Sequence, residues 1–432
     1  MEEQNSSDKS FINKNILDFM IDGIRSEFFG QVSQTYATRM LVFLCMIVMS
    51  IIIARTLGPE GRGVLAVASS ITAIGVQFGS LGFHTSNTFF VAKDKTLLPN
   101  LIGNSVLVII GSSVVIAGVY FYLVRYPHMT PIHGILLQLA FLGIIIGITA
   151  IHAKNLFIGL LQIKPFNIIE LSSTIAHVVL VGIAVFIGRY SVIVFYALTV
   201  LTNITALIWT CFLLWKHIKT KIRPSAILLW QSVIYGIKAY FSCLFAFLIR
   251  RVDLLMINYF LGFKASGIYA IAIGLINILN ILPEIIGMIA FPRLCRIKDW
   301  HKRTVFTHKI VLMVLSFSIP AITVLIFFAK KVIILLYGLP YADASDPLFW
   351  FLPGFFILSI EMMYRRLLVS KRYPWTSVAG WGLAFVANVA LNIALIPRFG
   401  ISGAAMASSI SYGITAMITI YIYWNRQKGR FN

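Results

Sequence analysis

Charged residues stranded inside apolar stretches are where this sequence could do chemistry. Arg39 lies within the apolar run 31–56, and Lys238, Arg250, Arg251 and Asp253 lie within 232–261. Glu170 sits just inside 166–188, Glu284 follows Pro283 in 265–290, and Glu361 with Arg365 occupies 348–369. A charge at mid-bilayer costs about 2.5–3.5 kcal/mol on insertion scales, so each of these groups needs a partner or a wet cavity. An arginine fork binds phosphate oxygens through paired charge-assisted hydrogen bonds. A low-dielectric wall strengthens that attraction. A cavity gathering Arg39, Lys238, Arg250 and Arg251 would suit an anionic headgroup such as a pyrophosphate and would repel a cationic drug. Arg250 and Asp253 are spaced i, i+3, so they share a helix face and could equally form an internal ion pair. Arg251 points about 100° away from Arg250. One helix cannot hide both from lipid against a single neighbour, so at least one should line a cavity. Glu361 and Arg365, i, i+4, fit a simple helix pair.

Enzyme chemistry finds little support. The sequence contains no GxxxxGK[ST] for a nucleotide, no HExxH and no GxSxG. The reading is therefore not an enzyme, and no cofactor or metal is expected. Cys45, Cys211, Cys243 and Cys295 show no CxxC spacing and read as small apolar residues, not as a disulfide or zinc framework. The eight histidines are scattered and read as structural.

The elements that must position these charges are membrane-spanning helices. The chain has 432 residues, 59% hydrophobic and 12% charged, against about 25% charged in a soluble domain. Its mean hydropathy is +0.88. Runs of about 20 apolar residues suffice to cross a bilayer. Such runs fall at 31–56, 63–83, 101–124, 132–152, 166–188 and 191–215, then at 232–261, 265–290, 310–329, 348–369, 375–396 and 401–424. The expectation is an all-α integral membrane protein of about 12 transmembrane helices. The segment 11–29 mixes apolar and charged residues and is expected to lie on the cytoplasmic membrane face as an amphipathic helix or leader. It is preceded by Glu2 and Glu3 and does not look like a cleavable signal peptide.

The formal net charge of +21 is explained by the positive-inside bias and not by nucleic acid. With both termini inside, roughly 22 Lys and Arg fall on the inner side and about 7 on the outer side. Both termini are therefore expected in the cytoplasm. The chain also repeats itself. Leu57-Gly58, Gly63, Ala66 and Ala68 recur without a gap as Leu261-Gly262, Gly267, Ala270 and Ala272. Both copies sit where the first span of a half turns into its second. Six spans plus six make a parallel repeat with its pseudo-twofold axis along the membrane normal. The expected plan is an N-terminal segment at 1–29, an N-lobe at 30–215 and a cytoplasmic linker at 216–231. A C-lobe at 232–424 and a basic tail at 425–432 complete it. Two rocking lobes around a cleft make a transporter architecture.

The run from Ala54-Arg55-Thr56-Leu57-Gly58-Pro59-Glu60-Gly61-Arg62-Gly63 through Ala68 resembles the first-turn motif of polysaccharide flippases. These form part of the multidrug/oligosaccharidyl-lipid/polysaccharide exporter superfamily. Arg251-Val252-Asp253 through Gly267-Ile268-Tyr269-Ala270 is similar to the family's seventh and eighth spans. Asn388 to Asn392, Ile396-Pro397 and Gly400 to Ala405 match its C-terminal run. The resemblance implies translocation of an undecaprenyl-pyrophosphate-linked oligosaccharide across the cytoplasmic membrane of a bacterium or archaeon, for O-antigen, capsule or exopolysaccharide. It implies that helices one and seven line the cavity, which agrees with the charge argument for Arg39, Lys238, Arg250 and Arg251. It also implies a proton or sodium gradient as driving force, with Asp253, Glu170, Glu284 and Glu361 as candidates for ion coupling. Expected partners are the lipid-linked substrate, membrane lipids, and a polysaccharide polymerase with its assembly proteins. The two extra spans of peptidoglycan-precursor flippases are not found. Two alternatives stay open: a drug or metabolite antiporter of the same fold, and a non-transporting membrane scaffold of a polysaccharide assembly complex.

Overall fold

A computed structural model of the chain describes residues 27–427, apart from Lys219 and residues 371–374. Most of the expected amphipathic segment at 11–29 and the end of the basic tail lie outside the described residues. So does the side chain of Lys238.

The described residues form ten α-helices and three short 3-10 turns, with no strand. They are α1 (Glu27–Gly79), α2 (Phe83–Lys93), α3 (Leu98–Arg125), α4 (Gly134–Gly159), α5 (Ile163–Phe186) and α6 (Val192–Trp215). The second half of the chain supplies α7 (Ala226–Arg296), α8 (Trp300–Tyr337), α9 (Ser345–Val369) and α10 (Trp375–Gln427). All but α2 are long and apolar enough to cross a membrane, nine helices among the described residues. The protein is a multi-pass, all-α membrane protein.

Three of these helices are too long for one crossing, and each is broken at a glycine. Gly58 in α1 (φ 67°) and Gly262 in α7 (φ 82°) leave helical geometry in nearly the same way, and Gly400 breaks α10 (φ 59°). A left-handed φ is cheap only for glycine. Pro59 and the stretch after Gly262 then restart the helix in a new direction. We call the pieces of α1, α7 and α10 their first and second limbs.

The repeated motifs meet each other. A Cβ on Gly63 would lie 1.8 Å from the Phe263 carbonyl oxygen, and a Cβ on Gly267 would lie 1.8 Å from that of Pro59. The two second limbs therefore cross backbone to backbone, as small residues allow in membrane helices. The largest core gathers around this crossing and joins both halves, with Val67, Ala68, Tyr269 and Ala272 all essentially inaccessible.

One boundary differs from the sequence reading. The linker expected at 216–231 ends earlier, because α7 starts at Ala226, where the Ser225 side chain accepts from the Leu228 amide and caps it. The linker is also clasped to α3. The Asn104 side chain donates to the Ser225 carbonyl at 3.1 Å and accepts from its amide at 2.8 Å.

Candidate functional site

A cavity of about 580 Å³ opens between the two halves of the chain, away from the Gly63–Gly267 crossing. Arg250, one of its deeper residues, is about 18 Å along α7 from Gly262 at about 1.5 Å per residue. The first half contributes Arg39 from α1 and Glu170 from α5. The second half contributes Arg250 and Glu284 from α7 and Arg365 and Arg366 from α9. Trp381 and Tyr412 of α10, Met46 of α1 and Met288 of α7 supply apolar and aromatic wall. Four arginines and two carboxylates thus converge from helices far apart in sequence.

The polar atoms here are incompletely partnered. Arg366 Nε, Glu170 Oε2 and Asn280 Oδ1 are buried without a hydrogen-bond partner, and all three residues line the cavity. Native structures leave few such groups. The Arg366 guanidinium lies against bare helix backbone: a Cβ on Gly287 would be 2.3 Å from its Nε. Arg365 is held differently. Its Nε is 3.2 Å from Glu361 Oε1, and its guanidinium lies 5.6 Å from the centre of the Trp381 ring. Glu361 is itself buried, at 2% exposure, and accepts from Thr419 Oγ1 at 3.0 Å. The helix pair expected from spacing is therefore also a tether that fixes Arg365 at the cavity wall.

The remaining expected site residues separate. Arg250 faces the cavity, whereas Arg251 turns from it and lies 5.8 Å from the centre of the Phe247 ring. Asp253 is only 1% exposed and lines no cavity. Its carboxylate accepts from Tyr269 Oη at 2.5 Å, the Leu254 amide at 2.8 Å and Ser408 Oγ at 3.3 Å. These bonds tie the two limbs of α7 to α10, and they take the place of the ion pair with Arg250 that the i, i+3 spacing allowed. The sequence reading missed Arg366 and treated Arg365 only as a helix-pair member. The available signal was two adjacent arginines inside one apolar segment.

The opposite end is sealed. Arg55 Nε donates to the Leu336 carbonyl at 2.8 Å, and its Nη2 donates to that of Leu335 at 2.5 Å. These are the last free carbonyls of α8, where the helix dipole is negative. Tyr341 Oη donates to the Ala54 carbonyl at 3.0 Å. The first limb of α1 is thus stitched to the second half of the chain beside the glycine crossing.

Comparison with known proteins agrees with this architecture. A family profile described as "Polysaccharide biosynthesis protein" matches residues 52–346. A candidate O-antigen transporter of Shigella flexneri is 21% identical over 86% of this chain and 91% of its own length. A candidate low-salt glycan biosynthesis flippase of Haloferax volcanii is 23% identical over 43% of this chain and 39% of its own length. Among solved structures, the inward-facing conformation of a MATE-family multidrug resistance transporter of the MOP superfamily superposes with a TM-score of 0.70. It has 13% identity and covers 92% of this chain and 98% of that one. The lipid II flippase MurJ superposes with a TM-score of 0.63 and 14% identity, covering 92% and 87%. The fold is that of the MOP superfamily, and the chain belongs to the polysaccharide biosynthesis protein family of membrane transporters.

Proposed function

We propose that this protein is a flippase that carries an undecaprenyl-pyrophosphate-linked oligosaccharide from the inner to the outer leaflet of the cytoplasmic membrane by alternating access. The observation that carries the reading is the convergence of Arg39, Arg250, Arg365 and Arg366 on one cavity. Against Glu170 and Glu284 this leaves a formal surplus of two positive charges on the wall, the magnitude a pyrophosphate diester carries with opposite sign. Arginine forks engage such oxygens in pairs. The unpartnered Arg366 Nε supplies a donor without breaking any existing bond, and Glu170 Oε2 and Asn280 Oδ1 supply acceptors for sugar hydroxyls. The same arginines disfavour a cationic drug.

The glycine breaks support counting twelve spans, six in an N-lobe of α1–α6 and six in a C-lobe of α7–α10. With both termini in the cytoplasm, the cavity opens inward and the Arg55 seal lies outside. Rocking the lobes about the Gly63–Gly267 crossing would break the seal and present the cargo to the outer leaflet.

The test is lipid extraction from a strain lacking the protein, with mass spectrometry of prenyl-linked sugars. Complete repeat units should accumulate on their lipid and clear when the gene is restored. Arg365→Gln combined with Arg366→Gln should leave the units trapped while the protein still inserts. A strain that keeps making polymer with no trapped lipid-linked sugar would refute the reading.

A further inference from the structure

A second polar cluster lies inside the N-lobe, formed by none of the cavity residues. His152 of α4 is 1% exposed. Its Nδ1 is 3.4 Å from the side-chain amide nitrogen of Asn87 on α2. The same amide donates to Ser105 Oγ on α3 at 2.8 Å. With an amide donating to Nδ1, a neutral ring carries its hydrogen on Nε2. That Nε2 is buried and has no hydrogen-bond partner. His84, one turn before Asn87 on α2, presents a buried Nδ1 that is also unpartnered. The two rings act on each other electrostatically, and the Ser80 backbone also faces His152. Among the described residues no carboxylate, lysine or arginine acts on either ring.

Each unsatisfied buried nitrogen costs about 1–3 kcal/mol. A ligand must offset that cost, and the chemistry narrows what it is. Sodium takes oxygen ligands. A transition metal needs more than two imidazoles, and among the described residues no three His, Cys, Asp or Glu side chains are grouped to hold one. What remains is a proton, which an imidazole takes up near neutral pH.

The cluster adjoins the interface between lobes. The turn Ser80-Leu81-Gly82 joins α1 to α2, with Leu81 (φ 48°) and Gly82 (φ 73°) both left-handed. A Cβ on Gly82 would lie 2.7 Å from Cβ of Tyr240 on the first limb of α7. Tyr240 Oη donates back to the Gln77 carbonyl at 3.3 Å. Two residues separate this contact from His84.

We propose that His84 and His152 form a proton-binding site whose occupancy is read by the C-lobe through the Gly82–Tyr240 contact. A proton there places a cation among neutral dipoles. The Asn87 amide and the Ser80 carbonyl must turn to solvate it, which shifts α2 and the turn that abuts α7. The inference rests on the transport reading above, names the proton as the coupling ion, and moves that role from the carboxylates to this histidine pair.

The test uses the full chain in lipid nanodiscs with its four cysteines replaced by serine. Spin labels at Lys95→Cys and Lys298→Cys, both exposed positions, report the separation of the two lobes by pulsed electron resonance from about pH 8 to pH 5.5. The ratio of lobe conformations should change with pH, by up to about tenfold per unit, the limit for one linked proton. His84→Gln with His152→Gln should flatten that response. If the double variant does not insert, His84→Gln alone, at the half-buried ring, must at least halve the slope. A wild type indifferent to pH, or a variant that keeps the wild-type slope, overturns the proposal. Undecaprenyl pyrophosphate is added in parallel. If it shifts the lobes in neither protein while the histidine-dependent pH response persists, the cargo assignment fails and the proton site stands.

Discussion

Gly63 and Gly267 are reciprocal: each places its backbone where the other's helix leaves no room for a side chain, 1.8 Å from a carbonyl oxygen of the facing limb. Each follows its own positive-φ glycine by the same interval, Gly58 in one case and Gly262 in the other. The pair marks the point where the two copies of the repeat pivot on each other, at the end of the bundle remote from the cavity.

A methyl group at either glycine cannot be absorbed by a side-chain shift, because the obstacle is backbone. Gly63→Ala or Gly267→Ala should therefore part the limbs at a cost of about 1–3 kcal/mol. Ala54 is buried in the closed form at 1% exposure, so Ala54→Cys reports the seal. Its reaction with a membrane-impermeant maleimide should be slow in the parent and fast in either glycine variant. An unreactive Cys in both variants would show that the crossing does not hold the outer end shut.

Arg55 tests the same seal from the side chain. Its fork spans two carbonyls at the end of α8. Lysine keeps the charge beside the helix dipole but cannot reach both acceptors. Arg55→Ala should cost about 1–2 kcal/mol of closed state and raise Ala54→Cys labelling roughly tenfold. Arg55→Lys should fall between. Equal labelling in all three backgrounds would remove Arg55 from the gate.

Glu361 is a positioning residue for Arg365. Glu361→Gln keeps a carbonyl acceptor for Thr419 Oγ1 and removes the charge that tethers Arg365. Binding of undecaprenyl pyrophosphate to purified protein should weaken about threefold to tenfold, the loss of roughly one charge-assisted contact in a wet site. Thermal stability should move little. A lowered melting point with unchanged affinity would assign Glu361 a structural role only.

Cys243 lines the cavity and is exposed within it, whereas Cys211 is exposed elsewhere. In inverted membrane vesicles, a bulky water-soluble thiol reagent should modify Cys243, and undecaprenyl pyrophosphate should slow that reaction without protecting Cys211. Equal protection of both, or of neither, would place the headgroup outside the cavity.

The sequence alone determined the class of the protein and much of its wiring. Long apolar runs with few charges can be only membrane helices, because backbone polar groups in lipid must be satisfied within the segment. The exact spacing of Gly58 and Gly63 against Gly262 and Gly267 announced a duplication, since only glycine tolerates those dihedrals and that approach. Stranded charges stood out because burial makes them costly, so Arg39 and Arg250 could be named in advance. Helical spacing also required that Arg250 and Arg251 diverge.

Convergence was decided by tertiary structure. Nothing local says that Arg366 meets Arg39 across the bundle, that Glu361 reaches Thr419 to hold Arg365, or that Asp253 is satisfied by Tyr269 and Ser408. His84 and His152 read as ordinary scattered histidines until α2 and α4 pack together and leave two ring nitrogens without partners. Periodicity records which face of a helix is polar; which faces meet depends on how the helices cross, and that is set by the packing of the whole bundle.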